Sequence, residues 1–277
     1  MNGNTRLSMA ALLAVTLAAC ATSPTGRRQL ALVSEESAIV ASEEAYAMQI
    51  GELRKQGKLV PETSRVARRV EAITERLVAQ AVEMRPETAK WDWSMEVIDD
   101  PEAVNAWCMA GGRMAVYTGL IDKLDPTDDE LAQVLAHEIS HALANHTAER
   151  MSVALATNAG ILLAGVLSED SQRTMSTAAL AAALAIQLPN SRTAESEADE
   201  IGIELAAKAG YNPNAAISLW QKMGNVEGGG SPQFLSTRPS PANRQARLAE
   251  LAPQMMAYYE QARGNAPTRS VARARVN

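Results

Sequence analysis

Apolar side chains at Val66, Val70, Ile73, Leu77 and Val78 recur at helical spacing, which predicts an amphipathic helix over residues 62–84. An earlier helix is predicted over residues 34–57, with Ser34 at its cap. From Trp91 to Ile98 the rhythm changes to alternation of apolar and polar residues, the mark of a strand, and Asp99-Asp100-Pro101 then turns the chain. Gly111-Gly112 introduces a second short strand over Arg113, Met114, Ala115, Val116, Tyr117 and Thr118. Thr127 and Glu130 form a capping box that starts a long helix predicted over residues 128–150. Two alanine-rich apolar segments follow, Val153–Leu167 and Ala178–Leu188. Both fall short of the ~20 residues that cross a bilayer. They are read as buried helices, with contact at a lipid surface as the alternative. Ser191–Ala209 is a further helix closed by Gly210, Asn212-Pro213 begins the next, and Gly228-Gly229-Gly230 is a loop. A last helix is predicted over residues 241–263. The Arg-rich stretch from Gly264 lacks apolar periodicity and is expected to be disordered. The pattern predicts a mainly α-helical chain with one small β-sheet, an α+β fold.

Composition sharpens this in two ways. Aromatic residues make up only 4% of the 277 positions while hydrophobic residues reach 47%, so the core is built from aliphatics and alanine, which favours helix. The net charge of −6 gives no electrostatic reason to expect nucleic acid as a partner. The N-terminus is a targeting segment. Arg6 precedes an apolar run from Met9 to Ala19, and Leu17-Ala18-Ala19-Cys20 matches a bacterial lipobox. Residues 1–19 are therefore a signal peptide, and Cys20 becomes the lipidated N-terminus. Ala21, rather than an aspartate, directs it to the outer membrane. Residues 20–33 hold the lipidated cysteine and a tether, and residues 34–263 form one domain. With Cys20 acylated, Cys108 is the one remaining cysteine, no intramolecular disulfide forms, and Cys108 is a buried apolar residue.

The candidate chemistry sits in His137-Glu138-Ile139-Ser140-His141, which contains two of only three histidines. Residues i and i+4 share one face of a helix, so both imidazoles can hold one zinc ion and Glu138 can act as general base. A catalytic zinc needs a third protein ligand. His146 lies nine residues from His137, half a turn off the shared face, and is a packing residue. The third ligand therefore comes from another helix. Ser191–Asp199 offers Glu195 and Asp199 at i, i+4, one to bind metal and the other to orient a ligating histidine. Spacing alone leaves Glu197 and Glu200 open. Gly202 extends the Glu195–Asp199 face and lets helices approach closely.

At this point the chain resembles the zinc metallopeptidases of family M48, the group of the CAAX prenyl proteases, HtpX and the mitochondrial Oma proteases. Within it the chain resembles the short bacterial lipoprotein branch. The matching residues are His137-Glu138-x-x-His141, Ser191-Arg192-x-x-Glu195-x-x-x-Asp199, Asn105-Ala106-Trp107 through Gly111-Gly112, and Val116-Tyr117-Thr118-Gly119. The resemblance implies a gluzincin-like domain with one Zn2+ per chain, Glu195 as third ligand and Asp199 behind the ligands. It also implies that the strand at Arg113–Thr118 is a substrate-binding edge. The chain departs from the family at Arg238, where relatives carry a histidine, and at Ala110, where they carry proline. A charged arginine is no zinc ligand, and Arg238 is a candidate for binding substrate or a developing oxyanion. Arg244 also matches a position where relatives carry arginine, and the sequence assigns it no role.

The expectation is a lipid-anchored periplasmic zinc endopeptidase that cleaves unfolded or damaged envelope proteins, meeting the membrane only through its N-terminal lipid. The alternative is an outer-membrane protein assembly factor with secondary or latent proteolysis. A purely structural zinc domain is disfavoured by Glu138 beside the two histidines.

Overall fold

The structure is a computed structural model that describes residues 20–167, 190–224 and 241–273. In chain order the elements are β1 (Cys20–Thr22), β2 (Arg28–Leu30), α1 (Glu35–Lys55), α2 (Arg65–Met84), a 3-10 turn at Pro86–Lys90, β3 (Ser94–Ile98), β4 (Ala106–Met109) and β5 (Arg113–Tyr117). There follow α3 (Thr118–Leu124), α4 (Asp128–Leu143), α5 (His146–Leu167), α6 (Arg192–Lys208), α7 (Ala215–Gly224) and α8 (Pro241–Ala262). The chain is mostly helical with small sheets, as the pattern predicts.

Two compact units divide it. The smaller gathers residues up to Ala38 and the stretch beginning at Asn145; the larger holds Ile39–Ala144 and the chain from Pro189 onward. In the smaller unit β1 and β2 form an antiparallel hairpin, and Arg27 pairs with Glu149 of α5 at 2.7 Å. The expected tether is thus folded: serine, proline and glycine between residues 22 and 27 make a turn instead of a flexible leash.

The larger unit is organised around α4. Every residue of that helix from Glu130 to Leu143 is buried, so it runs through the core and can use either face. The capping box forms as predicted: the Thr127 hydroxyl accepts from the Glu130 N–H at 3.2 Å, and the Glu130 carboxylate accepts from the Thr127 N–H at 2.8 Å. The helix stops earlier than the predicted residue 150. Asn145 adopts φ 55°, a left-handed conformation that breaks the helix, and Arg85 donates to the Leu143 carbonyl at 2.9 Å. His146 therefore starts α5 instead of lying on the motif helix.

The three-stranded sheet has the order β3-β5-β4, with β5 parallel to β3 and antiparallel to β4. This corrects the expectation for Arg113, Met114, Ala115, Val116 and Tyr117. They form the central strand, paired on both sides, and cannot accept a substrate strand. β4, which the alternation pattern did not mark, is an edge among the described residues. The outer side of β3 is covered at both ends, by Leu59 opposite Ile98 and by Ala272 opposite Ser94. The tail expected to be disordered supplies the second cover. Ala272 donates to the Trp93 carbonyl at 2.8 Å and accepts from the Met95 N–H at 3.1 Å. A strand edge offers unpaired main-chain groups, and these capture a segment that has no apolar pattern of its own.

One further expectation changes. Val153–Leu167 is helical within α5, but Val153 is 45% exposed and Ala156 and Thr157 are exposed too, so this face is not core. The second alanine-rich segment, Ala178–Leu188, and the loop at Gly228-Gly229-Gly230 lie outside the described residues.

Candidate metal centre

His137 and His141 stand one helical turn apart on buried α4, with ring centroids at 4.7 Å, planes nearly perpendicular and Nε2 atoms 3.0 Å apart. The third donor comes from α6. Ser191 caps that helix by accepting from the Ala194 N–H at 3.1 Å, which places Glu195 in its first turn. One Glu195 oxygen lies 3.5 Å from His137 Nε2 and the other 3.5 Å from His141 Nε2. Gly202 is why the helices come so close: a Cβ there would sit 3.0 Å from the His137 Cα. Among the described residues these three side chains form the one cluster of donors suited to a metal ion. Tetrahedral zinc with ligand bonds of about 2.0–2.1 Å sets its nitrogen and oxygen donors about 3.3 Å apart. The donor separations bracket that value, and two imidazoles with a carboxylate are the donor set of a catalytic zinc. The residues present therefore fit zinc. Glu197 is buried and Glu200 faces Arg247 at 3.8 Å; neither joins the donor cluster.

Behind the ligands, Asp199 Oδ1 lies 2.9 Å from His137 Nδ1. Accepting the Nδ1–H leaves the Nε2 lone pair pointing at the metal position. Arg244 of α8 holds Asp199 in turn: its Nε donates to Oδ2 at 2.5 Å and its Nη2 to Oδ1. Arg244 Nη2 is also 3.0 Å from His137 Nδ1. With the Nδ1 proton given to Asp199 both atoms are donors, so this is contact and not a hydrogen bond. The guanidinium lies over the Trp220 ring, 3.9 Å from its centroid, and is only 3% exposed. Burial pushes the Asp199 carboxyl upward, yet the Arg244 charge and the His137 bond together bring it below its usual value. Asp199 therefore stays ionised.

Glu138, on the adjoining face of α4, is buried at 7% exposure. Burial and the Glu138 charge push the Cys108 thiol of β4 well above its ordinary value, so Cys108 is a protonated, apolar core residue, as the sequence implied. The motif helix that carries Glu138 packs against β4. The Tyr117 N–H donates to the Asn105 carbonyl at 3.1 Å. Antiparallel pairs alternate, so Trp107 and Met109 bond β5 while Cys108 directs its main-chain N–H and C=O to the outer edge.

The structure places His137, His141 and Glu195 in one cluster, Asp199 against His137, and Glu138 next along α4. Arg238 lies outside the described residues. Sequence reasoning missed Arg244, Trp220, the β4 edge and Asn190, whose amide lies 3.3 Å from His141 Nε2. The signal for Arg244 was present: a carboxylate on a buried helix face needs a cation, and the only open question was which one.

The chain is similar in sequence to known proteins. The chain is 38% identical over 159 residues to the mitochondrial metalloendopeptidase OMA1 of Arabidopsis thaliana, covering 57% of this chain and 31% of the relative. It is 30% identical over 154 residues to the metalloprotease LoiP of Escherichia coli, covering 53% of this chain and 58% of the relative. It is 31% identical over 150 residues to a putative beta-barrel assembly-enhancing protease of Vibrio cholerae, covering 51% of this chain and 31% of the relative. The match spans less than two thirds of the length of each. The model of peptidase family M48 matches residues 64–252, which hold every residue of the metal centre, and the chain belongs to that family.

Proposed function

We propose that the protein is a zinc-dependent endopeptidase, anchored by lipid on Cys20 to the periplasmic face of the bacterial outer membrane, that cleaves unfolded or damaged envelope proteins. The observation that carries the peptidase reading is the convergence of His137, His141 and Glu195 with Glu138 buried beside them. The lipobox supports the anchor, and among the described residues no helix is long and apolar enough to cross a membrane.

Zinc, when bound, supplies Lewis acidity that activates water and polarises the scissile carbonyl. The protein's own groups do the rest. Asp199 fixes the His137 tautomer, and Arg244 keeps Asp199 ionised and in place. Glu138 accepts a proton on a carboxylate oxygen from the attacking water and returns it to the leaving amine. The outer edge of β4 offers the Cys108 N–H and C=O to an extended peptide. Main-chain pairing of this kind ignores side-chain identity, which suits unfolded substrates. Arg238 remains the candidate for an oxyanion or substrate contact.

The test is incubation of the zinc-loaded chain from Ala21 onward with an unfolded model protein, beside Glu138→Gln. The parent cleaves; the variant binds one zinc and does not. Equal cleavage by both overturns the assignment of Glu138. The likeness to an assembly-enhancing protease favours one second reading, a factor for outer-membrane protein assembly. Restored outer-membrane integrity in a deletion strain that expresses Glu138→Gln would select it.

A further inference from the structure

The smaller unit has an apolar end that the metal centre does not use. β1 opens at Cys20, which pairs with Leu30, while Thr22 pairs with Arg28 next to the turn. The turn end is pinned by charge: Arg27 makes two 2.7 Å bonds to the Glu149 carboxylate of α5, and Gln29 adds one at 3.3 Å. Past Leu30, the Val33 N–H donates to Ser152 of α5 at 2.9 Å. From Glu149 to Ser152, α5 therefore passes from the turn of the hairpin toward the end that carries Cys20. Beyond that point it changes character. Residues 151–167 contain no charged side chain, and Val153, Leu155, Ile161, Leu162, Leu163, Val166 and Leu167 fall within them. Among the described residues of this unit the exposed large apolar side chains, Leu32 at 43% and Val153 at 45%, flank the Val33–Ser152 bond.

We propose that this end of the smaller unit is a bilayer-contacting surface, with Leu32, Val153 and Ala156 resting in the phospholipid interface beside the acyl chains on Cys20. The inference deepens the anchor reading and rests on it. An acyl group on a flexible tether would leave the body free to stand off by up to ~3.5 Å per tether residue, whereas here the lipid position is the first residue of a strand paired with β2, whose Gln29 bonds Glu149 of α5. The bilayer is then held against the side of the unit that carries Cys20, where Leu32 and Val153 are exposed. Among the described residues no helix is long and apolar enough to cross a membrane, and the proposed contact is one within the interface. With a net charge of −6 the chain gains nothing from anionic headgroups, and the attraction is apolar.

The probe is a vesicle of phosphatidylethanolamine and phosphatidylglycerol, and the protein is the chain from residue 20 onward with Cys20→Ala, which carries no lipid. Flotation with the vesicles, unchanged in 0.5 M NaCl (about five times the ionic strength at which the Debye length is 10 Å), is the expected result. Leu32→Glu with Val153→Glu reduces partitioning about tenfold or more, because two exposed apolar contacts are replaced by charges. Met48→Glu, at an apolar position 75% exposed in the larger unit, leaves it unchanged. Failure of the unlipidated chain to float, or equal flotation of the double variant, overturns the surface. Mass analysis of the N-terminal peptide tests the anchor separately. Acylated Cys20 with no flotation of the unlipidated chain sinks the surface alone; flotation with unacylated Cys20 supports the surface and sinks the anchor.

Discussion

Arg244 grips Asp199, donating from Nε to Oδ2 at 2.5 Å, and Asp199 passes that constraint to His137 at 2.9 Å, while Arg244 Nη1 also donates to the Glu195 carboxylate at 3.4 Å. The metal centre is therefore held by three layers: donors, a carboxylate, and a buried arginine stacked on Trp220. Arg244→Met removes the charge and strands a buried carboxylate, which costs about 3–5 kcal/mol. It also lets His137 turn, and zinc affinity falls about 10–100-fold. Chelator competition measures the affinity and thermal melting the stability. An unchanged zinc Kd in a folded Arg244→Met protein would show that Asp199 orients His137 unaided.

Gly202→Ala tests the helix approach. The added Cβ meets backbone atoms, His137 Cα at 3.0 Å and His137 N at 3.1 Å, which cannot swing aside as a side chain would. α6 must move away from α4 by a few tenths of an ångström and carry Glu195 with it. The expected outcome is a loss of about 1–3 kcal/mol in stability and zinc binding weakened about tenfold. A variant with parental zinc affinity would mean that the donor cluster tolerates the shift.

How much of this was legible in the sequence depends on the range of the forces involved. Thr127 with Glu130, and Ser191 ahead of Glu195, act within one helical turn, and both helix starts were placed to within a residue. The i, i+4 pairs His137/His141 and Glu195/Asp199 are equally local, and the structure brings both together. What failed was set by tertiary pairing. Nothing in Arg113–Tyr117 tells a central strand from an edge, because alternation reports burial and not the number of neighbours. The tail after Gly264 has no apolar period, yet its backbone completes the β3 edge, and backbone hydrogen bonding leaves no trace in composition. Asn145 ended the motif helix through a single left-handed residue that helical periodicity ran straight past.

The start of the motif helix carries a pH dependence. Burial raises the Glu130 carboxyl, but Lys222 at 2.7 Å, the Ser218 hydroxyl and the Thr127 N–H outweigh it and hold the group below its ordinary 4.5. A carboxyl lowered on folding stabilises the protein above its unfolded value and loses that contribution as pH falls through the folded value. Urea midpoints of the parent and Glu130→Gln should therefore differ most near neutrality and converge as the pH drops below 4.5. A gap that persists or widens in acid would assign the stability to packing and not to charge.

The tail over β3 gives the last prediction. A chain ending at Thr268 loses the Arg269 N–H bond to the Glu75 carbonyl at 3.0 Å, both Ala272 bonds to β3, and the Arg273 bond to the Met95 carbonyl at 2.8 Å. The Arg269 Nη2 bond to the Ala89 carbonyl at 2.7 Å and the Arg273 Nη1 bond to the Glu96 carboxylate at 3.5 Å go too, and six hydrogen bonds at about 0.5–1.5 kcal/mol each set the expected loss at ~3–9 kcal/mol. The exposed β3 edge should also promote association between chains. Ala272→Pro isolates one of these bonds, since proline cannot donate to the Trp93 carbonyl. Because β4, not β3, borders Glu138, the folded truncated protein should keep its zinc affinity and its cleavage rate while its melting temperature falls and light scattering rises. A truncated chain that melts with the parent would show that the tail rests on β3 without stabilising it, and one that loses cleavage while still binding zinc would move the substrate-pairing edge from β4 to β3.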